Sequence, residues 1–234
     1  MVKEAVSAIR QRIALAAHRV GRNPDEVALM AVIKTVEAGR IREAYEAGLR
    51  LFGENRLQEF GEKFEMLADL KDAEWHLIGH LQSNKAKKAA ELFSAIDSVD
   101  SLRLAEKLNQ SAGQAGKKLP VLIEIKVGEE ESKAGIPLDS PELENLLRAA
   151  QTLEHLQIRG LMTIPPFTED PEGARPYFRL LHDLRDQIAD RKLPGIQMDV
   201  LSMGMSHDFE IAIEEGSTCV RVGTAIFGVR PKPV

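Results

Sequence analysis

The stretch VALMAVIKT, Val27–Thr35, decides the reading of this chain. Its apolar run, Val27 to Ile33, is short and ends at a Lys-Thr pair. A continuous apolar run of this length predicts a strand covered on both faces, the kind found in parallel sheets. On its N-terminal side, Ile9, Ile13, Ala16 and Val20 recur at i, i+4, i+7 and i+11, the spacing of one helix face. On its C-terminal side the pattern alternates. Helices are expected over 37–47, 56–70, 85–92, 101–114, 141–153, from Asp170-Pro171 onward, and over 209–213. Strands are expected over 49–52, 75–78, 95–99, 121–127, 158–164, 198–203 and 219–222. Ser140 before Pro141 has the form of an N-cap followed by proline in the first helical turn.

With Val27–Ile33, that makes eight strands separated by helices. Strict alternation implies a parallel sheet, and eight units imply closure as a (β/α)8 barrel within one domain spanning 1–234. An open doubly wound sheet is the alternative. The length of 234 residues suits one α/β domain. Hydrophobic residues make up 44% and charged residues 29%, ordinary for a soluble globular protein. The net charge of -5 argues against nucleic-acid binding, which needs a basic footprint. A single cysteine, Cys219, precludes an internal disulfide and suits a reducing cytoplasm. The charged N-terminus is neither a signal peptide nor a membrane span, and no apolar run approaches the roughly 20 residues that a span requires.

Barrel enzymes carry their chemistry at the C-terminal ends of the strands. The polar residues expected there are Lys34 after the first strand, Glu54 and Asn55 after the second, and His80 after the third. The seventh strand is followed by Gly204, Met205, Ser206 and His207, and the eighth by Gly223 and Thr224. An ammonium approached through apolar residues is partly desolvated, which favours the neutral amine needed to condense with an aldehyde. The competing reading is a lysine that snorkels to solvent. The loops GMSHD and VGTAIFG stand where barrels commonly seat phosphate. Gly204 and Gly223 allow close backbone approach, while Ser206 and Thr224 add hydroxyls. The competing roles are an N-cap for Ser206 and a plain turn for Gly223. Asp208 would oppose an anion unless it points away.

A phosphate seat opposite a reactive lysine suits a phosphorylated aldehyde such as pyridoxal 5′-phosphate. Arg221, two residues before Gly223, would face the same way and meet the ring nitrogen. A guanidinium cannot accept a proton, so it would keep that nitrogen unprotonated and the cofactor a weak electron sink. A structural salt bridge is the other reading of Arg221. His76 and His80 stand at i, i+4 on a strand-and-loop segment, where that spacing builds no metal face, and no metal is expected.

Seven segments resemble the pyridoxal phosphate homeostasis protein family: AVIKT around Lys34, LFGENRLQE from Leu51, WHLIGHLQSNK from Trp75, ESKAGI from Glu131, RGLMTIPP from Arg159, LSMGMSHDFEIAI from Leu201 and GSTCVRVGTAIFG from Gly216. The resemblance implies a fold-type III barrel like the N-terminal domain of alanine racemase. It implies Lys34 as the covalent attachment site and phosphate contacts from Ser206, Gly223 and Thr224, with Arg221 near the ring nitrogen. Asn55, His80, Met203 and Gly204 would line the pocket. The family usually has a small polar residue before the lysine, where this chain has Ile33. A strand neighbour points to the opposite face, so little effect on the imine is expected.

Racemisation needs a second acid/base on the far side of the substrate. Tyr45 and Tyr177 both read as helix-face packing residues, and no second domain is expected. A monomeric carrier of pyridoxal phosphate is therefore expected, serving cofactor homeostasis and pyridoxal phosphate-dependent apoenzymes. An amino-acid racemase is the alternative.

Overall fold

The computed structural model describes residues 1–128 and 134–228. Its strands are β1 (Ala28–Val32), β2 (Leu51–Glu54), β3 (Glu74–Leu77), β4 (Ala95–Val99), β5 (Leu119–Lys126), β6 (Ile136–Pro137), β7 (Leu156–Met162), β8 (Ile196–Met205) and β9 (Cys219–Val222). Eight of them form a ring in the order β4-β3-β2-β1-β9-β8-β7-β5, and β4 pairs with β5 to close it. Every ladder is parallel. Closure removes both sheet edges, so the barrel stands and the open sheet falls. The two-residue β6, which the pattern does not signal, attaches to the end of β5.

The helices are α1 (Val2–Arg19), α2 (Ala38–Glu46), α3 (Leu57–Phe64), α4 (Ala86–Leu92), α5 (Leu102–Gln114), α6 (Pro141–Ala149), α7 (Arg175–Asp190), α8 (Phe209–Glu214) and α9 (Thr224–Phe227). Local chemistry starts several of them. The Ser101 hydroxyl accepts the Leu104 amide at the head of α5, and the Ser140 hydroxyl accepts the Glu142 amide before Pro141. α1 buries Val2, Val6, Ile9, Ile13 and Ala16 against α2, α8 and α9. Val20 does not extend this face. The Gly21 and Arg22 amides turn back to the carbonyls of His18 and Ala17, so the helix stops at Arg19 and Val20 is exposed.

Strand alternation divides the apolar side chains between two layers. Met30, Val32, Ile78, Leu122, Met162 and Cys219 fill the barrel interior as a plug. Ala31, Ile33, Ile123, Ile125, Val220 and Val222 face outward into the layer beneath the helices. Ile33 is fully buried there, which places the residue before Lys34 on the outer face as expected. In the same layer Phe60 stacks on Phe93 at 4.7 Å and lies 5.2 Å from Trp75. Such a cluster of buried rings holds α3 and α4 to the wall.

Two boundaries differ from expectation in ways that matter. β2 begins at Leu51, because the Leu49 amide is used by the Ala44 carbonyl at the end of α2. Glu54 is therefore the last strand residue. It lies on the outer side with Phe52, opposite Gly53. The helix expected over 56–70 is α3 followed by a 3-10 turn, Glu65–Leu67.

Candidate functional site

Lys34 sits at the C-terminal rim of the barrel, in line with the inward-facing Met30 and Val32. A tight turn holds it, with the Val36 amide bonded to the Ile33 carbonyl at 3.0 Å. The next residue, Thr35, takes φ +60°. A β-branched residue reaches that region only when its surroundings impose it. Here they do so from α3. Glu59 accepts the Thr35 amide at 3.3 Å, and the Lys63 ammonium donates to the Ile33 carbonyl at 3.2 Å and to Glu54 Oε2 at 3.1 Å. Glu54 Oε1 accepts the amides of Asn55 and Arg56. Glu54, expected among the mouth residues, is thus committed to bracing the turn from behind.

The expected phosphate elements stand beside this turn. β9 is the neighbour of β1, and a Cβ on Gly223 would lie 3.3 Å from the Val32 carbonyl oxygen. Glycine is what lets the β9 end approach β1 so closely. The Ser206 hydroxyl accepts the Ala225 amide at 3.4 Å, which joins the β8 loop to the start of α9. Ser206 is not the N-cap of α8. That position belongs to Asp208, whose carboxylate turns back to the Met205 amide at 2.6 Å. The carboxylate is buried there, and burial raises its pKa. Gly204 takes φ +92°, and a Cβ there would lie 2.5 Å from Ala212 Cβ, so its glycine character serves the packing of α8. Met203 corrects an expectation: its side chain is fully buried in the layer outside the barrel wall and does not line the mouth.

Arg221 points inward above Cys219 and is almost fully buried. It donates to the Ser202 carbonyl at 2.7 Å, to the Ser202 hydroxyl at 2.8 Å and to the Thr163 carbonyl at 2.7 Å. Three of its five N–H donors are thereby spent on the wall, which fixes the guanidinium plane. The salt-bridge reading of Arg221 does not hold, since none of these acceptors is a carboxylate. His80 stands further out on the rim, exposed, with Nδ1 2.8 Å from Asp100.

Two buried oxygens in this region have no hydrogen-bond partner among the described residues, Asn55 Oδ1 and Glu124 Oε2. Asn55 was expected in the pocket; Glu124 was not. Glu124 follows the inward-facing Leu122 by two residues, and burial pushes its pKa up to about 7. Asp100 adds to the rise, while Arg221 and His80 oppose it. Buried polar atoms are normally paired, so two orphans at one strand-end layer mark a place that a polar ligand completes. A half-buried amine, two hydroxyls and a fixed guanidinium fit a phosphorylated aldehyde with an aromatic ring. Glu131, Ser132 and Lys133 of the ESKAGI segment lie outside the described residues.

A cavity of about 510 Å³ opens at the opposite rim. His76 and Asp97 line it, with His76 Nδ1 3.0 Å from the carboxylate. Burial disfavours the imidazolium, yet Asp97 and Glu74 outweigh it and raise the His76 pKa to about 9. None of the residues expected at the site reaches this cavity. Among the described residues no helix is long and apolar enough to cross a membrane.

A closed parallel barrel with a lysine after its first strand defines the alanine racemase type of barrel, and the family described as "Alanine racemase, N-terminal domain" matches residues 5–231. The solved alanine racemase of Streptomyces lavendulae shares this fold, with a TM-score of 0.70 at 23% identity, over 99% of this chain and 58% of that one. Much closer is the Synechococcus elongatus protein PipY, solved with PLP bound. Its TM-score is 0.85 at 38% identity, over 97% of this chain and 100% of that one. The Aquifex aeolicus protein named "Pyridoxal phosphate homeostasis protein" is 45% identical over 227 residues, covering 97% of both chains. The chain belongs to the pyridoxal phosphate homeostasis protein family.

Proposed function

We propose that this protein binds pyridoxal 5′-phosphate covalently through Lys34 and serves cofactor homeostasis, holding the cofactor for pyridoxal phosphate-dependent apoenzymes. The observation that carries this reading is the convergence at one rim of Lys34, the Ser206 and Gly223–Thr224 loops and the inward Arg221, beside two orphaned buried oxygens. The bound ligand of PipY and the names of the relatives support it. When bound, the cofactor supplies an aldehyde that condenses with an amine and releases water. Lys34 offers that amine from a turn braced by Lys63 and Glu59. Ser206, Gly223 and Thr224 take the phosphate. Arg221, a donor without a lone pair, would meet the ring nitrogen and leave it unprotonated.

Holding rather than turnover is favoured by how the two tyrosines are used. Tyr45 is spent on Asp72 behind α2, and Tyr177 packs against the core from α7. Racemisation would fall to His80, oriented by Asp100 but exposed on the rim. The carrier is proposed to act as a cytoplasmic monomer.

Pyridoxal phosphate added to the pure chain and fixed with borohydride should tag Lys34, as read by peptide mass mapping. No tag, or a tag elsewhere, overturns the binding reading. Incubation with alanine or serine in deuterium oxide should give no rapid exchange at the α-carbon. Rapid exchange that disappears in Lys34→Ala would replace the carrier by a racemase.

A further inference from the structure

The reading above leaves Glu124 without a task. It lies on β5 between Leu122, in the interior plug, and Lys126, two residues further towards the rim. Val121, Ile123 and Ile125 face the opposite, outer layer. Glu124 therefore points into the barrel just above the plug, on the side from which Lys34 and Arg221 enter. It is 5% exposed, and its Oε2 has no partner among the described residues. The charged groups that act on it come from several strands: His80 after β3, Asp100 after β4 and Arg221 on β9, while Lys34 after β1 and Lys126 on its own strand stand at the same rim. On the β7 side its ladder neighbour is the apolar Met162.

A carboxyl in this position behaves in opposite ways in its two protonation states. Ionised, it places a negative charge in the layer that must receive a ligand bearing a phosphate and a phenolic oxygen. Neutral, it presents an O–H donor to such an oxygen. A buried acid whose charged form is disfavoured by desolvation and by Asp100 needs little further help to stay protonated.

Resting on the reading of Lys34 as the attachment site, we propose that Glu124 is a further cofactor-binding residue that works as a neutral acid, donating its proton in a hydrogen bond to an anionic oxygen of the cofactor. Loading then takes up one proton from solvent onto Glu124 at pH values where the empty protein holds it ionised. Loss of that proton favours release. The carboxyl couples cofactor retention to pH and gives the carrier a way to let go.

The test is the dissociation constant of pyridoxal phosphate, followed by absorbance from pH 6 to 8.5, for the unsubstituted chain and for Glu124→Gln. Gln keeps the shape and a donor but cannot ionise. For the unsubstituted chain the constant should rise by up to about tenfold per pH unit above pH 7, the limit for one linked proton. Glu124→Gln should lack that component and bind at least as tightly at pH 8.5. Glu124→Met, which offers neither charge nor donor, should share the flattened slope but bind more weakly than Glu124→Gln at pH 6. It also serves if Glu124→Gln does not fold. Borohydride tagging of Lys34 runs alongside. Tagging with the same pH slope in chain and variants overturns the role of Glu124 alone. Absence of a tag in the unsubstituted chain overturns the parent reading and this one with it.

Discussion

Replacing Lys63 by Met should destabilise the protein by about 3 kcal/mol through a residue that braces the Lys34 turn from behind. Lys63 is 14% exposed and Glu54 1% exposed, so their 3.1 Å pair is shielded from water. Met keeps most of the aliphatic stem and its packing. What is lost is the ammonium, which leaves Glu54 Oε2 as a buried charge without a cation. Breaking a buried pair from one side costs about 3–5 kcal/mol. The low end applies here, because Glu54 Oε1 still accepts the amides of Asn55 at 2.7 Å and Arg56 at 3.2 Å. Unfolding entropy of about 2.1 cal/mol/K per residue gives about 0.5 kcal/mol/K for a chain of this length, so the midpoint should fall by about 6 °C. Thermal unfolding by circular dichroism reads that shift. The double variant Lys63→Met with Glu54→Gln should cost at least about 1 kcal/mol less than the sum of the two single changes, because it leaves no orphaned charge. A midpoint drop under 1 °C, or additive single effects, would refute the bracing role assigned to this pair.

Three further outcomes follow from the same geometry. Gly53→Ala should cost about 1–3 kcal/mol in urea unfolding, because its Cβ would stand 2.6 Å from Met30 Sδ inside the plug; an unchanged midpoint would contradict the packing. The His76 pKa is raised from 6.5 to about 9, so its pairing stabilises fully below pH 6.5 and is lost as pH rises through 9. Urea midpoints should decline over that window by the equivalent of about 3 kcal/mol, and Asp97→Asn should flatten the decline; equal slopes would dismiss the pair as its source. Cys219 is buried with its pKa pushed up to about 12, so it should resist iodoacetamide in the native state and react once urea unfolds the chain; labelling of the native protein would show the plug to be open.

What the sequence made legible was what short-range chemistry decides. β4 and β9 begin and end where expected, and Ser140 caps the helix that follows it. Lys34, Asn55 and Arg221 could be placed because each lies at the end of a recognisable strand. Glu124 could not. It sits inside the clearest apolar run of the chain, and its inward direction depends on which face of β5 closes onto the plug. That is a property of the ring and not of the run. Met203 shows the converse: it precedes the expected phosphate loop, but the alternation along β8 sends its side chain outward. Glu54 and Lys63 find each other because β2 starts two residues later than its apolar residues suggest, the backbone of Leu49 being already engaged by α2.

Polar groups stand at both ends of the plug, and their pairing separates a structural end from a ligand-binding one. At the base, His76 holds Asp97 and Arg159 holds Asp199, so the charges facing the 510 Å³ cavity largely satisfy one another. At the mouth, Asn55 and Glu124 each keep a buried oxygen that nothing among the described residues satisfies. An unmet buried group costs about 1–3 kcal/mol, a burden a fold sheds unless something outside it makes the bond. Arg185 Nε on α7, buried and without a well-formed hydrogen bond, is ion-paired with Asp186 at 2.5 Å and so is not left unmet. Unpaired acceptors beside a braced lysine and a glycine-tightened strand end direct attention to the mouth and not to the cavity at the base. The distinction also explains why Arg221 is built as it is. By spending three donors on the wall it leaves the remaining two aimed by the barrel and not by its own flexible stem, so the guanidinium is already in position before any ligand arrives.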